Sequence, residues 1–290
     1  MKRTWILFLI LPCLLLQSCM SQNPYLNPTD TQSTANGTED PSVNDAPDFS
    51  YRSARANELL PYLKTDDPHY LKIISKTQNE FGTDRYVPAD LIRLDEVCVP
   101  TGKEIYLDRH VSNALYAMLA EMAHDGIAGV MVTSGYRSYE RQGELFSAYI
   151  KREMSKLTDD AYECLGRAYI EAKYDLSADT GLDAIDADRV VRSYAATPGN
   201  SEHQTGLCVD FITRGMTELN NAFEGTLACS WLMQNAHRFG FILRYPQSKT
   251  DVTGYAYESW HYRYVGRDAA LEIYSRGLTL EEYRAERAAN

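Results

Sequence analysis

The chain has 290 residues, enough for one large domain or two small ones, with 44 % hydrophobic residues and a formal net charge of -11. That charge comes from 29 Lys+Arg against 40 Asp+Glu, which argues against a protein that tracks a nucleic-acid backbone and against a polybasic membrane-surface binder. The 21 tyrosines suit a half-exposed aromatic surface or a ligand groove.

Lys2 and Arg3 precede an apolar run from Trp5 to Leu16, broken only by Pro12 and Cys13. About a dozen residues is the length of a signal-peptide apolar region rather than of a bilayer span. The run ends in "LLQSC", which resembles a bacterial lipoprotein cleavage site. Residues 1–18 are then the signal peptide, and Cys19 is the lipidated first residue of an extracytoplasmic, membrane-tethered protein. The alternative is a plain signal peptide cut elsewhere. Residues 20–50 are rich in Ser, Thr, Asn, Asp and Pro. They bury too little apolar surface to offset the entropy of ordering, so 19–50 reads as a lipidated cysteine and a disordered tether. Residues 51–290 form the folded domain.

Val111, Leu115, Met118, Leu119 and Met122 make one stripe of a helix over 108–125, closed by Gly126. "GVMVTSGYRS" reads as a short buried strand, Val130 to Thr133, running into a loop at Gly135. Ser138 caps a helix through about Met154. "LTDDAYECLGRAYIEAKY" starts a further helix at Thr158 and two aspartates, and a short one follows over Asp188 to Ala195. "GLCVDFI" is a strand. Residues 226–239 form a helix with Trp231 and Leu232 inward. "FILRYP" and "WHYRYV" are strands joined by a polar loop, and "TLEE" at 279–282 is a capping box for a last helix. The order implies an α+β fold with a small, mostly antiparallel sheet flanked by helices.

Three stretches carry chemistry. "SEHQTGLCVDF" sets His203 and Asp210 seven residues apart, and "YESWHYRYVG" adds Glu258 and His261. Catalytic zinc takes three protein ligands and keeps one position for water. His203, Asp210 and His261 supply three, which leaves Glu258 to take a proton. Residues three apart face opposite sides of a regular strand, so the backbone must bend near Ser259. "SGYRSYERQ" places Arg137 in a loop after a strand, where a guanidinium reaches a carboxylate or a polarised carbonyl oxygen. Taken singly, His203 reads as a surface histidine, Asp210 as a strand-end cap and Arg137 as one half of an ion pair.

Together "SGYRSYERQ", "PGNSEHQTGLCVDF" and "RYP…TGY…ESWHYRYVG" resemble the zinc D-alanyl-D-alanine carboxypeptidases of the vancomycin-resistance type. Their fold group also holds L,D-carboxypeptidases and the hedgehog signalling domain. The resemblance covers roughly residues 85–266. It implies one zinc on His203, Asp210 and His261, Glu258 as the catalytic base, and Arg137 as stabiliser of the developing oxyanion. It also implies Ser201 and Gln142 in the substrate cleft, and terminal D-alanine of the peptidoglycan stem peptide as the group removed, from D,D- or L,D-linked ends, with endopeptidase cleavage of cross-links as a third option. The stretch 156–197 exceeds what a minimal member needs and is expected to shape or cover the cleft. The competing reading is a non-catalytic zinc-bearing module that binds cell-wall peptide or a protein partner.

Cys98, Cys164, Cys208 and Cys229 are an even set in a disulfide-permissive place, and four cysteines allow three pairings. Cys208 shares a strand face with Asp210. The readings for it are a small buried thiol, a disulfide to Cys229, or a fourth ligand that would close the site and make it structural. His69, His110, His124 and His237 have no partner pattern and read as surface or helix residues.

Overall fold

The structure, a computed structural model, describes residues 51–64, 66–154, 191–192 and 195–289. The expected signal peptide, tether, helix from Thr158 and most of the short helix before Ala195 lie outside the described residues.

The first helix, α1 (Ala54–Leu59), is capped by Ser53. Glu121, fully buried, accepts hydrogen bonds from the backbone N–H groups of Arg52 (3.0 Å) and Ser53 (2.7 Å) and so ties α1 to the long helix behind it. Two three-residue strands, β1 (Leu91–Arg93) and β2 (Tyr106–Asp108), pair antiparallel as a small separate sheet. Asp108 then caps α2 (Arg109–His124), its side chain accepting from the N–H of His110 at 2.9 Å and Val111 at 3.4 Å. The expected α2 stripe is buried at Val111, Leu115, Met118 and Met122. Ala114 and Ala117 complete it, and Leu119 lies at its margin.

The main sheet holds β3 (Val130–Ser134), β4 (Cys208–Thr213), β6 (His261–Tyr264) and β5 (Phe241–Leu243) in that spatial order, every pair antiparallel. Central β4 is buried along nearly its whole length, as its apolar run requires. Phe211, Phe241, Tyr262 and Tyr264 are each fully buried, and each contributes roughly 2 kcal/mol of apolar burial. The register of β3 against β4 slips between Val132 and Ser134, a bulge that re-aims Ser134 toward the centre of the molecule.

Among the described residues, further helices are α3 (Tyr139–Met154), α4 (Leu227–Asn235), the single turn α5 (Thr250–Thr253), α6 (Arg267–Arg276) and α7 (Leu280–Ala289). Ser138 accepts from the Arg141 N–H at the start of α3. Trp231 and Leu232 of α4 face inward, and a 3-10 turn carries that segment on to Gly240. The α7 capping box closes in both directions: Thr279 N–H donates to Glu282 (2.8 Å) and Glu282 N–H to Thr279 (3.1 Å). The sequence reading missed β1, β2, α1 and α6. His237, read as a surface or helix residue, lies in the 3-10 turn Ala236–Phe239, and its ring stacks on Tyr274 of α6 at 3.7 Å between centroids. Cys98, Cys208 and Cys229 are buried free thiols, so the proposed Cys208–Cys229 disulfide is absent.

Candidate active site

The chemistry-bearing stretches converge at one end of the main sheet. Cross-strand pairing places Asp210 of β4 directly opposite His261 of β6 and Ser134 of β3 opposite Asp210. His203 arrives on the 3-10 turn Glu202–Thr205, whose exit needs the left-handed backbone of Gly206 (φ 69°). Beyond that turn the chain runs straight into β4.

Each imidazole is fixed by a hydrogen bond on its outer nitrogen. His203 Nδ1 donates to the Gly135 carbonyl at 2.7 Å, which leaves Nε2 facing Asp210 at 3.1 Å. Gly135 is required there, because a Cβ would stand 2.6 Å from the Tyr106 carbonyl oxygen and 2.7 Å from Ile105. His261 Nε2 donates to Glu202 at 3.3 Å, which leaves Nδ1 facing Asp210 at 3.0 Å. The inward nitrogens therefore share one carboxylate, and all three residues are buried. Burial pulls the His203 ring down, but Cys208 and Asp210 outweigh it and raise it to about 9. His261 is likewise pushed down by burial and held up, well above its usual range, by Cys208 and Asp210. The cluster is built to hold a cation. Two imidazole nitrogens and a carboxylate, each braced by an outer partner, fit a zinc site.

Glu258 sits beside this cluster without belonging to it. Its carboxylate is 3.6 Å from His261 Nδ1, and its side chain keeps 15 % exposure. The expected bend is present: His261 N–H donates to the Glu258 carbonyl at 3.3 Å, closing a turn just before β6. Glu258 thus precedes the strand, and strand alternation does not govern it. Burial raises its carboxyl to about 7, with His261 and His203 pulling it down and Asp210 adding to the rise. A carboxylate near neutral pKa is poised to take and return a proton.

Arg137 donates to Ser134 Oγ at 2.8 Å and to Gln142 Oε1 at 2.6 Å, and its backbone N–H binds the His203 carbonyl at 2.9 Å. Gln142 in turn donates to the Ala196 carbonyl at 2.6 Å. Both ends of the Gln142 amide are thus engaged within the protein, and it braces the guanidinium. Ser201 is buried beside His203. Arg137, Gln142, Ser201, His203, Asp210, Glu258 and His261 all line one cavity of about 190 Å³, with Tyr149, Tyr245, Tyr255 and Trp260 among its aromatic walls. Every residue expected to act in the folded domain therefore meets at one place.

The profile of the VanY family, described as D-alanyl-D-alanine carboxypeptidase, matches residues 104–267, which hold all of these side chains. The chain belongs to the VanY family. It is 34 % identical over 202 residues to the putative carboxypeptidase YodJ of Bacillus subtilis, covering 68 % of this chain and 61 % of that one. It is 36 % identical over 177 residues to a D-alanyl-D-alanine carboxypeptidase of Enterococcus faecalis, covering 61 % of this chain and 55 % of the relative. The chain thus spans under two thirds of the length of these curated relatives. Among solved structures it resembles the LdcB LD-carboxypeptidase (TM-score 0.57, 32 % identity, 77 % of this chain and 92 % of that one). It also resembles a glutamate-to-alanine variant of a vancomycin-resistance D,D-pentapeptidase, VanY, in complex with Zn(II) (TM-score 0.54, 32 % identity, 74 % of this chain and 99 % of that one).

The sequence reading of this VanY-family site overlooked Glu202. Its Oε1 accepts from Arg244 Nε (2.7 Å) and Arg263 Nη1 (2.8 Å), while its Oε2 holds His261. Burial raises the Glu202 carboxyl, but Arg244, Arg263 and His261 together hold it well below the usual carboxylate range. Arg244 continues to Glu281 of α7 at 2.5 Å and 3.0 Å. The available signal was "FILRYP" and "WHYRYV": an arginine directly after one apolar strand and another inside the next demand a buried anion nearby.

Proposed function

We propose that this protein is a zinc-dependent carboxypeptidase that removes the terminal D-alanine of peptidoglycan stem peptides outside the cytoplasm. The observation that carries the reading is the geometry of Glu258, a cavity-lining carboxylate 3.6 Å from His261 and beside the convergent donors of His203, Asp210 and His261. A non-catalytic binding module has no use for a base at that place. Membership of the VanY family supports the same reaction, and the relatives described as D-alanyl-D-alanine carboxypeptidases support D-Ala-D-Ala ends as substrate. An L,D-linked end is the second reading, favoured by the likeness to the LdcB LD-carboxypeptidase.

His203 through Nε2, His261 through Nδ1 and Asp210 through its carboxylate would hold the zinc. Bound there, zinc supplies Lewis acidity that polarises a carbonyl and makes water a nucleophile near neutral pH. Glu258 takes the proton from the attacking water and returns it to the leaving amine of D-alanine. Arg137, held by Ser134 and Gln142, presents fixed positive charge to the carbonyl oxygen as it gains negative charge. Ser201 and the aromatic walls orient the short peptide and exclude water around it. The segment 156–197, largely outside the described residues, is proposed to shape or cover this cleft.

The basic start, short apolar run and "LLQSC" support export and a lipid on Cys19, with residues 20–50 as a leash. No helix among the described residues is long and apolar enough to cross a membrane. Labelled fatty acid is expected to enter the wild type and not Cys19→Ala; equal release of both into the medium would contradict the anchor. For the activity, the purified protein is incubated with defined tetra- and pentapeptide stems, with and without chelator, and products are weighed by mass spectrometry. Chelator-sensitive loss of one D-alanine is expected. Intact peptides under all conditions, with tight binding of one, would support the binding module instead.

A further inference from the structure

Cys208 has no part in the proposed reaction, yet it lies within the donor cluster. Two residues before Asp210 on β4, its side chain projects from the same face of the sheet. Its partner across the ladder is Arg263, and His261 is the diagonal neighbour on β6. It is fully buried and is bonded to neither Cys98 nor Cys229. The donor atoms of His203, Cys208 and His261 all lie within 4.8 Å of one another. Two donors of one tetrahedral zinc stand about 3.5 Å apart, so the three need to contract by at most about 1.3 Å. His203, Asp210 and His261 line the cavity, whereas Cys208 is fully buried beside the two histidines.

We propose that Cys208 is a further ligand of the metal, its thiolate binding from the strand face that it shares with Asp210. The proposal rests on the zinc-site reading above and adds one residue to it. The donor set becomes two imidazoles, one carboxylate and one thiolate, whose two negative charges match a divalent ion. Four protein donors fill a tetrahedral zinc, so water and substrate must enter on the cavity side as a fifth donor, the expansion that catalytic zinc undergoes in some transition states. A thiolate also shifts the preference of the site toward soft ions, zinc and cadmium, and away from manganese and magnesium. Binding releases the thiol proton to solvent, and no oxidant or reductant is required.

Cobalt(II) tests this without reference to activity, because a cobalt–thiolate bond gives a charge-transfer band in the near ultraviolet that nitrogen and oxygen donors do not. The protein is stripped with chelator, loaded with one equivalent of cobalt(II), and compared with Cys208→Ala and Cys208→Ser. The wild type is expected to show the band. Both variants should lose it, keep the weaker visible cobalt bands, and bind zinc at least about 10-fold more weakly, the loss seen even for outer partners of a ligand. Thermal melts of the stripped proteins show whether the variants fold. A wild type that binds cobalt without the band, or whose band survives in folded Cys208→Ala, overturns the proposal and leaves the zinc peptidase intact. A wild type that binds no cobalt or zinc overturns both.

Discussion

Replacing Glu202 by glutamine removes the anion that joins the metal cluster to the sheet. The side chain is 1 % exposed and receives two guanidinium hydrogen bonds at 2.7 Å and 2.8 Å, from Arg244 and Arg263, which are themselves buried. Breaking a buried ion pair from one side typically costs about 3–5 kcal/mol. Here Arg244 keeps Glu281, and Arg263 keeps the carbonyls of Tyr70, Lys72 and Tyr264. The expected loss is therefore near the lower end, about 3 kcal/mol. The second consequence concerns His261. Its Nε2 proton loses a charged acceptor, so Nδ1 is less firmly committed to the metal side, and zinc affinity should fall about 10–100-fold. Urea unfolding of the stripped protein measures the first effect, and chelator competition measures the second. Glu202→Gln within about 1 kcal/mol of wild type, with unchanged zinc affinity, would refute the network argument.

Gly135→Ala should cost about 1–3 kcal/mol through forced overpacking, since the added methyl meets the Tyr106 carbonyl oxygen at 2.6 Å. It should also lower zinc content by shifting the carbonyl that orients His203, and metal analysis alongside a thermal melt checks both. His237 is held neutral by burial, with Arg238 adding to the effect, and titrates at about 4 rather than 6.5. Its contribution is therefore complete above about pH 6.5 and is lost as pH falls toward about 4. His237→Phe keeps the stack on Tyr274 and should flatten stability against pH across that window; an unchanged slope would contradict the assignment.

Long and strongly patterned segments were legible from sequence for reasons the structure bears out. The α2 stripe, the Ser138 cap and the Thr279–Glu282 box rest on local geometry, which neighbouring residues determine. The strands β1 and β2 were missed because three residues are too short to show alternation, and their pairing is set by contacts outside the strands themselves. At the site, the spacing of His203, Asp210, Glu258 and His261 suggested a shared centre, and the fold brings the four side chains to one cavity. The bend at Ser259 followed from the same reasoning, and the turn from Glu258 to His261 supplies it. Glu202 carried no signal of its own; only the arginines of "FILRYP" and "WHYRYV" pointed to a buried anion. A glutamate between Ser201 and His203 looks solvated until β5 and β6 bring Arg244 and Arg263 against it.

The most direct test of the account is Glu258→Gln, assayed for zinc content, peptide affinity and D-alanine release from a pentapeptide stem. The substitution keeps size and polarity while removing a base whose pKa stands at about 7. Zinc content and peptide binding should match the wild type, and turnover should fall by at least the roughly 10²–10⁴-fold that general-base catalysis contributes. Release of D-alanine at the wild-type rate by the zinc-loaded variant would contradict the assignment of Glu258 as the base.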